Sequence, residues 1–200
     1  MAEAIFRHLG KDIIDVKSAG SNPSGVNPFV YKVIGEIGVS TEGLFSKNVT
    51  QFLDDNAAGR FDYVITVCDR MKQVCPVFVG EYKKIHWSLQ DPAEIKGTEE
   101  EILTAFRKTR NILKALIIDF LKVPLDKANI RCPFCGNIDR IGIVEEKCLV
   151  FYKCSHCGRI ISTPEGSCCV ICGYSDKVCG EFLKNTIELY GKDVLGKKEE

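Results

Sequence analysis

Eleven cysteines in 200 residues set the chemical possibilities of this chain, and their placement matters more than their number. Nine fall between Cys132 and Cys179, while Cys68 and Cys75 stand alone in the first 125 residues. In the dense region, Cys132-Pro133-Phe134-Cys135-Gly136 and Cys154-Ser155-His156-Cys157-Gly158 form two knuckles separated by eighteen residues. Paired C-x2-C units at such a distance offer four soft thiolates to a tetrahedral ion, zinc or iron in its place. Glycine after each second cysteine permits a tight turn that aims backbone N–H groups at the thiolates. The competing reading is a set of free or disulfide-bonded thiols. A module this small buries little apolar surface, so a bound metal would supply its folding energy. His156 lies between two candidate ligands and is expected to be exposed rather than coordinating. Cys148, Cys168, Cys169, Cys172 and Cys179 remain, and they read either as a second metal cluster or as an exposed thiol site for redox or metal capture.

Cys68 closes the run Phe61-Asp62-Tyr63-Val64-Ile65-Thr66-Val67-Cys68, and Cys75 follows after six intervening residues. In an open parallel sheet the ligand crevice lies at the carboxyl ends of the strands, so a thiol there is placed for chemistry. Two thiols on one loop can also form a disulfide, if the loop folds back far enough. The alternative is two unrelated, partly buried cysteines. Asp91-Pro92-Ala93 offers a carboxylate that would serve either as a general acid or as a turn cap. His86 is expected to pack beside Trp87.

The elements needed to position these groups are legible in the first 125 residues. Ala2 to Leu9 has a helical pattern, and Asp12 to Ser18 reads as a short strand. Asn27-Pro28 starts a helix carrying Val30, Val33, Ile34 and Ile37, with Gly38 as its stop. Phe61 to Cys68 has the β-branched and aromatic content of a buried strand. Thr98-Glu99-Glu100-Glu101 is a capping box opening a long helix whose inner face is Leu103, Phe106, Leu113, Ile117, Phe120 and Leu121. Pro124 ends it. Strands alternating with helices imply an α/β domain with a parallel sheet over residues 1–125. A small cysteine-rich domain over 129–181 follows, and then a polar tail over 182–200, a short amphipathic helix that frays at its end.

Apolar residues make up 45% of the chain, and 27 basic residues balance 27 acidic ones, so nothing in the charge pattern calls for nucleic acid. The N-terminus has no secretory pattern. Ile112 to Leu121, the most apolar stretch, is broken by Lys114 and Asp119 and is too short to span a bilayer. A soluble, cytoplasmic protein is expected, and a reducing compartment favours metal and thiol chemistry over structural disulfides.

Segments spread over residues 1–122 carry a resemblance. They are Met1-Ala2-Glu3-Ala4, Ser18-Ala19-Gly20, Gly25-Val26-Asn27-Pro28, Asp62 to Cys68, Cys75-Pro76, His86-Trp87 leading to Asp91-Pro92-Ala93, and Phe106-Arg107-Lys108-Thr109-Arg110. In order and spacing they resemble the thioredoxin-coupled arsenate reductases, which have the low-molecular-weight tyrosine phosphatase fold. The resemblance implies a relay. A first cysteine in a C-x5-R loop attacks arsenate, and Asp91 protonates the departing oxygen. Cys68 then attacks the first cysteine and releases arsenite. Cys75 attacks Cys68, and thioredoxin reduces the Cys68–Cys75 disulfide. Plain phosphatases of this fold generally lack the second and third thiols, so Cys68 and Cys75 favour the reductase over a phosphomonoesterase. In the family, the C-x5-R loop immediately precedes Met-Ala-Glu, and no cysteine of this chain has an arginine six residues later. The expectation is therefore of an incomplete domain, its first strand and catalytic loop missing. The strands matching Asp12–Ser18 and Phe61–Cys68 would lose their shared partner. As written, the polypeptide would not reduce arsenate.

The run Gly166-Ser167-Cys168-Cys169-Val170-Ile171-Cys172 resembles the small GDCCVxC-type domain, a match covering about residues 131 to 180, with Ser167 where that family has Asp. Domains of that type look associated with mercury and arsenic handling, which implies arsenite capture by Cys168, Cys169 and Cys172. A third reading follows, in which the chain is a non-catalytic zinc- or arsenite-binding protein.

Overall fold

A computed structural model describes residues 1–53, 61–67, 78, 80–144 and 147–191. Helix α1 (Ala2–Gly10) is followed by a single 3-10 turn, Lys11–Ile13, and then by extended chain. Helix α2 (Pro28–Glu36) begins where the Asn27 side chain accepts the Phe29 N–H, with proline at its first position. Strands β1 (Tyr63–Thr66) and β2 (Lys83–His86) pair in parallel, with Tyr63 opposite Lys83 and Thr66 opposite His86. Helix α3 (Glu99–Leu121) opens on the complete capping box of Thr98 and Glu101 and ends at Lys122 in the left-handed region. The α/β character read from the sequence is present.

The segment expected as a strand over Asp12–Ser18 is not one. A strand exists only where a neighbour accepts and donates its backbone groups. Among the described residues none runs beside this segment, and its first part winds into the 3-10 turn. Ile13 is left 78% exposed. The amide and hydroxyl of Ser18 bond instead to the carboxylate of Glu3, and sheet-like pairing resumes only at an isolated bridge between Gly20 and Asn48.

Two antiparallel hairpins build the cysteine-rich part: β3 (Lys127–Arg131) with β4 (Ile138–Gly142), and β5 (Phe151–Lys153) with β6 (Ile160–Ser162). The one-turn helix α4 (Val170–Tyr174) and helix α5 (Gly180–Tyr190) complete the described chain. The amphipathic helix expected after Phe182 is thus present as α5.

Helix α3 is the wall shared by two cores. Leu103, Phe106, Leu113 and Ile117, expected on its inner face, are buried, while Phe120 and Leu121 are half-buried. They pack with Ile5, Phe6, Val33, Ile34, Trp87 and Leu89, where the Phe6 and Trp87 rings stack with centroids 6.1 Å apart. The opposite face is buried as well. Ala115 and Ile118 join Ala128, Cys169, Ile171, Cys172, Val178 and Cys179 in a second core. Helix α5 straddles the two, giving Ile187 and Tyr190 to the first and Phe182 and Leu183 to the second. Among the described residues, no helix is long and apolar enough to cross a membrane.

Candidate functional site

Each hairpin carries one knuckle in its turn, and the two turns are built alike. The Gly136 N–H donates to the Cys132 carbonyl at 2.9 Å, and the Gly158 N–H to the Cys154 carbonyl at 3.0 Å. Both glycines sit at positive φ, 75° and 69°, a conformation that a side chain would strain. The turns bring Cys132 to 3.8 Å from Cys157, and Cys135 to 3.8 Å from Cys154, sulfur to sulfur. All four sulfurs lie within 4.8 Å of one another. Metal–sulfur bonds of about 2.3 Å in a tetrahedron place the sulfurs roughly 3.8 Å apart, whereas a disulfide would need about 2.05 Å. The donor set and its spacing fit zinc, and all nine described cysteines are free thiols. His156 is exposed, as expected.

The electrostatics of this set are uneven. Burial pushes the Cys132 thiol up, but the N–H groups of Cys135 and Phe134 outweigh it and hold the thiol at about 7. The Asn137 amide draws the Cys135 thiol down, yet lost solvation and the neighbouring sulfurs leave it at about 12. Such a group keeps one proton among crowded sulfurs until a cation displaces it. Asp139 ties the hairpins together: its carboxylate accepts the Ser155 N–H at 3.0 Å, the Tyr152 hydroxyl at 2.9 Å and the Asn137 side-chain amide at 2.7 Å. Those bonds, the Ser155 amide first, hold its carboxyl below the ordinary range. Nothing in the sequence singled out Asp139. Its only signal is its place four residues after the first knuckle.

The remaining cysteines also converge. Cys168 lies 3.3 Å from Cys172 and 3.5 Å from Cys179, and Cys148 lies 3.7 Å from Cys179, all between sulfurs. Cys148, Cys168, Cys169 and Cys179 fall within 4.8 Å of one another. Hydrogen bonds from the thiols of Cys168, Cys172 and Cys179 lower the Cys169 thiol, and the same crowding raises that of Cys168.

Beneath this cluster lie polar residues of α3 that sequence reasoning missed. Arg110, fully buried, donates to the carbonyls of Val33 at 2.8 Å and Gly173 at 3.2 Å, and to the Glu36 carboxylate at 2.8 Å. Lys114, also fully buried, donates to the carbonyls of Cys172, Ser175 and Lys177 at 2.7, 2.8 and 2.9 Å. Burial, and then the Arg110 charge, bring its ammonium down to about 7. The available signal was a lysine and an arginine inside the most apolar helix of the chain.

Residues 1–129 match the low molecular weight phosphotyrosine protein phosphatase family. The chain belongs to that family. Among its relatives, an arsenate reductase of Halalkalibacterium halodurans is 35% identical over 111 residues, covering 56% of this chain and 77% of its own. An arsenate reductase of Shouchella clausii is 33% identical over 120 residues, covering 60% and 84%. A solved structure, an arsenate reductase in the phosphate binding state, is 25% identical over 59% of this chain and 86% of its own, with a TM-score of 0.41.

In the phosphatase-family domain the carboxyl ends of β1 and β2 lie side by side. Thr66 Oγ1 and His86 Nδ1 are 2.7 Å apart, and Trp87 beside them is fully buried. Cys68 and Cys75 lie outside the described residues. Asp91 is exposed, and its Oδ1 accepts the Ala93 N–H at 2.9 Å, capping the 3-10 turn Pro92–Glu94. It therefore fills the turn-capping role weighed for it, at the mouth of the loop after β2. Glu3, in the first turn of α1, is buried and gathers the Ser18 N–H at 3.1 Å, the Lys47 ammonium at 3.1 Å and the Arg7 guanidinium. Burial raises its carboxyl, but Ser18, Lys47 and Arg7 outweigh that and hold it low. This network pins α1 to Ser18 before α2 and to Lys47 after it.

Proposed function

We propose that this chain is an arsenate reductase-type protein of arsenic detoxification, in which a cysteine relay reduces arsenate to arsenite and thioredoxin recycles the relay. The observation that carries the reading is the 35% identity over 111 residues to a relative named arsenate reductase, which the chain covers to 77% of its length. The sequence supports the finer chemistry. Cys68 and Cys75 are the two thiols that a relay needs and that phosphate-ester hydrolysis does not. Cys68 thiolate would attack the arsenic-bearing sulfur, forming a disulfide as two electrons pass to arsenic and arsenite leaves. Cys75 would then displace that sulfur, and the thioredoxin dithiol would reduce the Cys68–Cys75 disulfide. Asp91, which caps the turn after β2, would protonate the departing oxygen. The initial attack requires a C-x5-R loop to hold the oxyanion, and no cysteine among the eleven is followed by arginine six residues on. The 200-residue polypeptide alone is therefore expected to exchange disulfides without turning over arsenate.

The appended hairpins, in the same reading, form a zinc-ribbon-like module in which Cys132, Cys135, Cys154 and Cys157 hold one structural zinc. Support comes from the 3.8 Å sulfur spacings and the paired turns. The metal would fasten the hairpins; no catalytic step passes through it.

The test is to oxidise the purified chain, treat it with thioredoxin, its reductase and NADPH, and map thiols by alkylation and mass spectrometry. Thioredoxin should restore Cys68 and Cys75, with NADPH consumed in step, and Cys75→Ser should abolish that reaction. A Cys68–Cys75 pair that forms no disulfide reducible by thioredoxin would overturn the reading.

A further inference from the structure

The second sulfur cluster is built on a different scaffold from the first and has a different surplus. A tetrahedral ion needs four sulfurs and a trivalent metalloid three, yet five converge here. Cys169, Cys172 and Cys179 are buried, while Cys148 and Cys168 are exposed, so the cluster has a dry base and a mouth open to solvent. Its sulfur separations of 3.3 to 3.8 Å are far above a disulfide bond and match the edges of a metal–thiolate polyhedron. The Cys179 N–H points at the Cys172 sulfur at 3.4 Å, the arrangement that stabilises a thiolate.

Lys114 supplies a second, independent observation. Buried charges are normally paired. The Lys114 ammonium donates to three carbonyls, one of them that of Cys172, and has no carboxylate partner among the described residues. Arg110, against the next carbonyl at Gly173, is by contrast already paired with the Glu36 carboxylate. Four thiolates closed around zinc would carry a net negative charge beside Lys114.

We propose that Cys148, Cys168, Cys169, Cys172 and Cys179 form a second, solvent-reachable site for a thiophilic ion, with Lys114 of α3 supporting the backbone of Cys172 and facing any negative charge that the sulfur shell carries. Zinc(II) and trivalent arsenic both take thiolate ligands, the zinc shell ending with a net negative charge and the arsenic shell neutral. Zinc would take four thiolates and release four protons. Arsenous acid would take three thiols, its three hydroxyls leaving as water with the thiol protons while arsenic stays trivalent. Neither step requires an oxidant or reductant. The fifth sulfur allows one ligand to be exchanged for another at the mouth, which the closed four-sulfur set cannot do. The inference rests on the cluster itself and stands whether or not the first domain reduces arsenate.

The full chain, purified under reducing conditions, should bind two equivalents of zinc. The triple variant Cys168→Ser/Cys169→Ser/Cys179→Ser should bind one. Because that variant removes buried groups, Cys148→Ser/Cys168→Ser, which changes only exposed positions, serves as the second probe. It should keep the first equivalent and weaken the second. With the first site held by zinc, arsenite should protect three of the five cluster thiols from alkylation. Protection by zinc alone or by arsenite alone would identify the occupant. Lys114→Met should weaken the second equivalent by about tenfold or more, as loss of a supporting residue does, while cobalt absorbance of the first site stays unchanged. One zinc equivalent in the parent chain, with all five cluster thiols alkylated in the presence of either ion, would overturn the proposal.

Discussion

Replacing Arg110 with leucine tests whether the two cores share one cooperative structure. The guanidinium donates to Val33 O, Glu36 Oε2, Asn111 Oδ1 and Gly173 O at 2.8 to 3.2 Å, with a longer contact to Cys172 O at 3.5 Å. Leucine fills most of the volume but satisfies none of these acceptors. Glu36 would not be orphaned, since Arg107 holds both its oxygens at 2.8 to 3.1 Å. The Val33 and Gly173 carbonyls would be, at about 1–3 kcal/mol each. Relief of the cost of burying a cation offsets part of this. The net expectation is a loss of about 2–4 kcal/mol, a large share of a domain's stability. Trp87 is the single tryptophan and is fully buried in the first core, so its fluorescence reports that core alone. Cobalt–thiolate absorbance reports the hairpins. In the parent chain the two urea transitions should coincide. In Arg110→Leu both should shift, the hairpin signal leaving first, because the lost bonds to Gly173 and Cys172 bind that part to α3. A shift worth less than about 1 kcal/mol, with the probes still coincident, would refute the claim that Arg110 joins the cores.

Three further outcomes follow from particular contacts. Glu3→Gln should cost about 2–3 kcal/mol, because the buried Lys47 ammonium loses its carboxylate and keeps the carbonyl and ring of Phe45; urea midpoints equal to the parent's would contradict this. Asp176 is nearly buried, and its carboxyl is pushed up by burial but held at about 2 by His8 and Asn129, so its stabilisation is complete above pH 3.8 and fades as pH falls toward 2. Asp176→Asn should therefore lose about 1–2 kcal/mol at pH 7 after allowance for solvent screening, and equal stability there would defeat the assignment. Asp139→Ala should weaken zinc binding at Cys132, Cys135, Cys154 and Cys157 by roughly 10–100-fold in competition with a chromophoric chelator, and an unchanged affinity would show that the bonds to Ser155 and Tyr152 do not position the second knuckle.

What could be read from the chain was whatever is encoded locally. Asn27-Pro28, Thr98 with Glu101, and the paired knuckles each carry their cause within a few residues, and each stands where it was expected. Asp12–Ser18 failed because a strand is a property of two segments, and no described residue runs alongside this one. The periodicity of α3 located its first apolar face correctly. It could not reveal that Arg110, Asn111 and Lys114 lie under α4 and the chain on either side of it. That Cys148, Cys168, Cys169, Cys172 and Cys179 could share one cluster was legible, but which sulfurs meet was not, since Cys148 and Cys179 lie 31 residues apart and are brought to 3.7 Å only by the fold.

The placement of those α3 cations has a consequence for how the two halves of the chain communicate. The carbonyl of Cys172 accepts from both Lys114 and Arg110, and the neighbouring carbonyls of Gly173 and Ser175 accept one bond each. The backbone that aims the Cys172 sulfur is thus held by side chains rooted in the phosphatase-family domain as well as by the hairpins, through the bridge between Ser175 and Ile130. Through Val33 and Glu36 the same arginine grips α2, so a movement of α2 relative to α3 would be transmitted to the sulfur cluster along hydrogen bonds of ordinary length. Conversely, closing the thiolates around an ion would strengthen the attraction on Lys114 and tighten α3 against α4. The cysteine-rich part is therefore better described as completing the back of the phosphatase-family domain than as a bead tethered to it, and the stability of each should depend on the occupancy of the other.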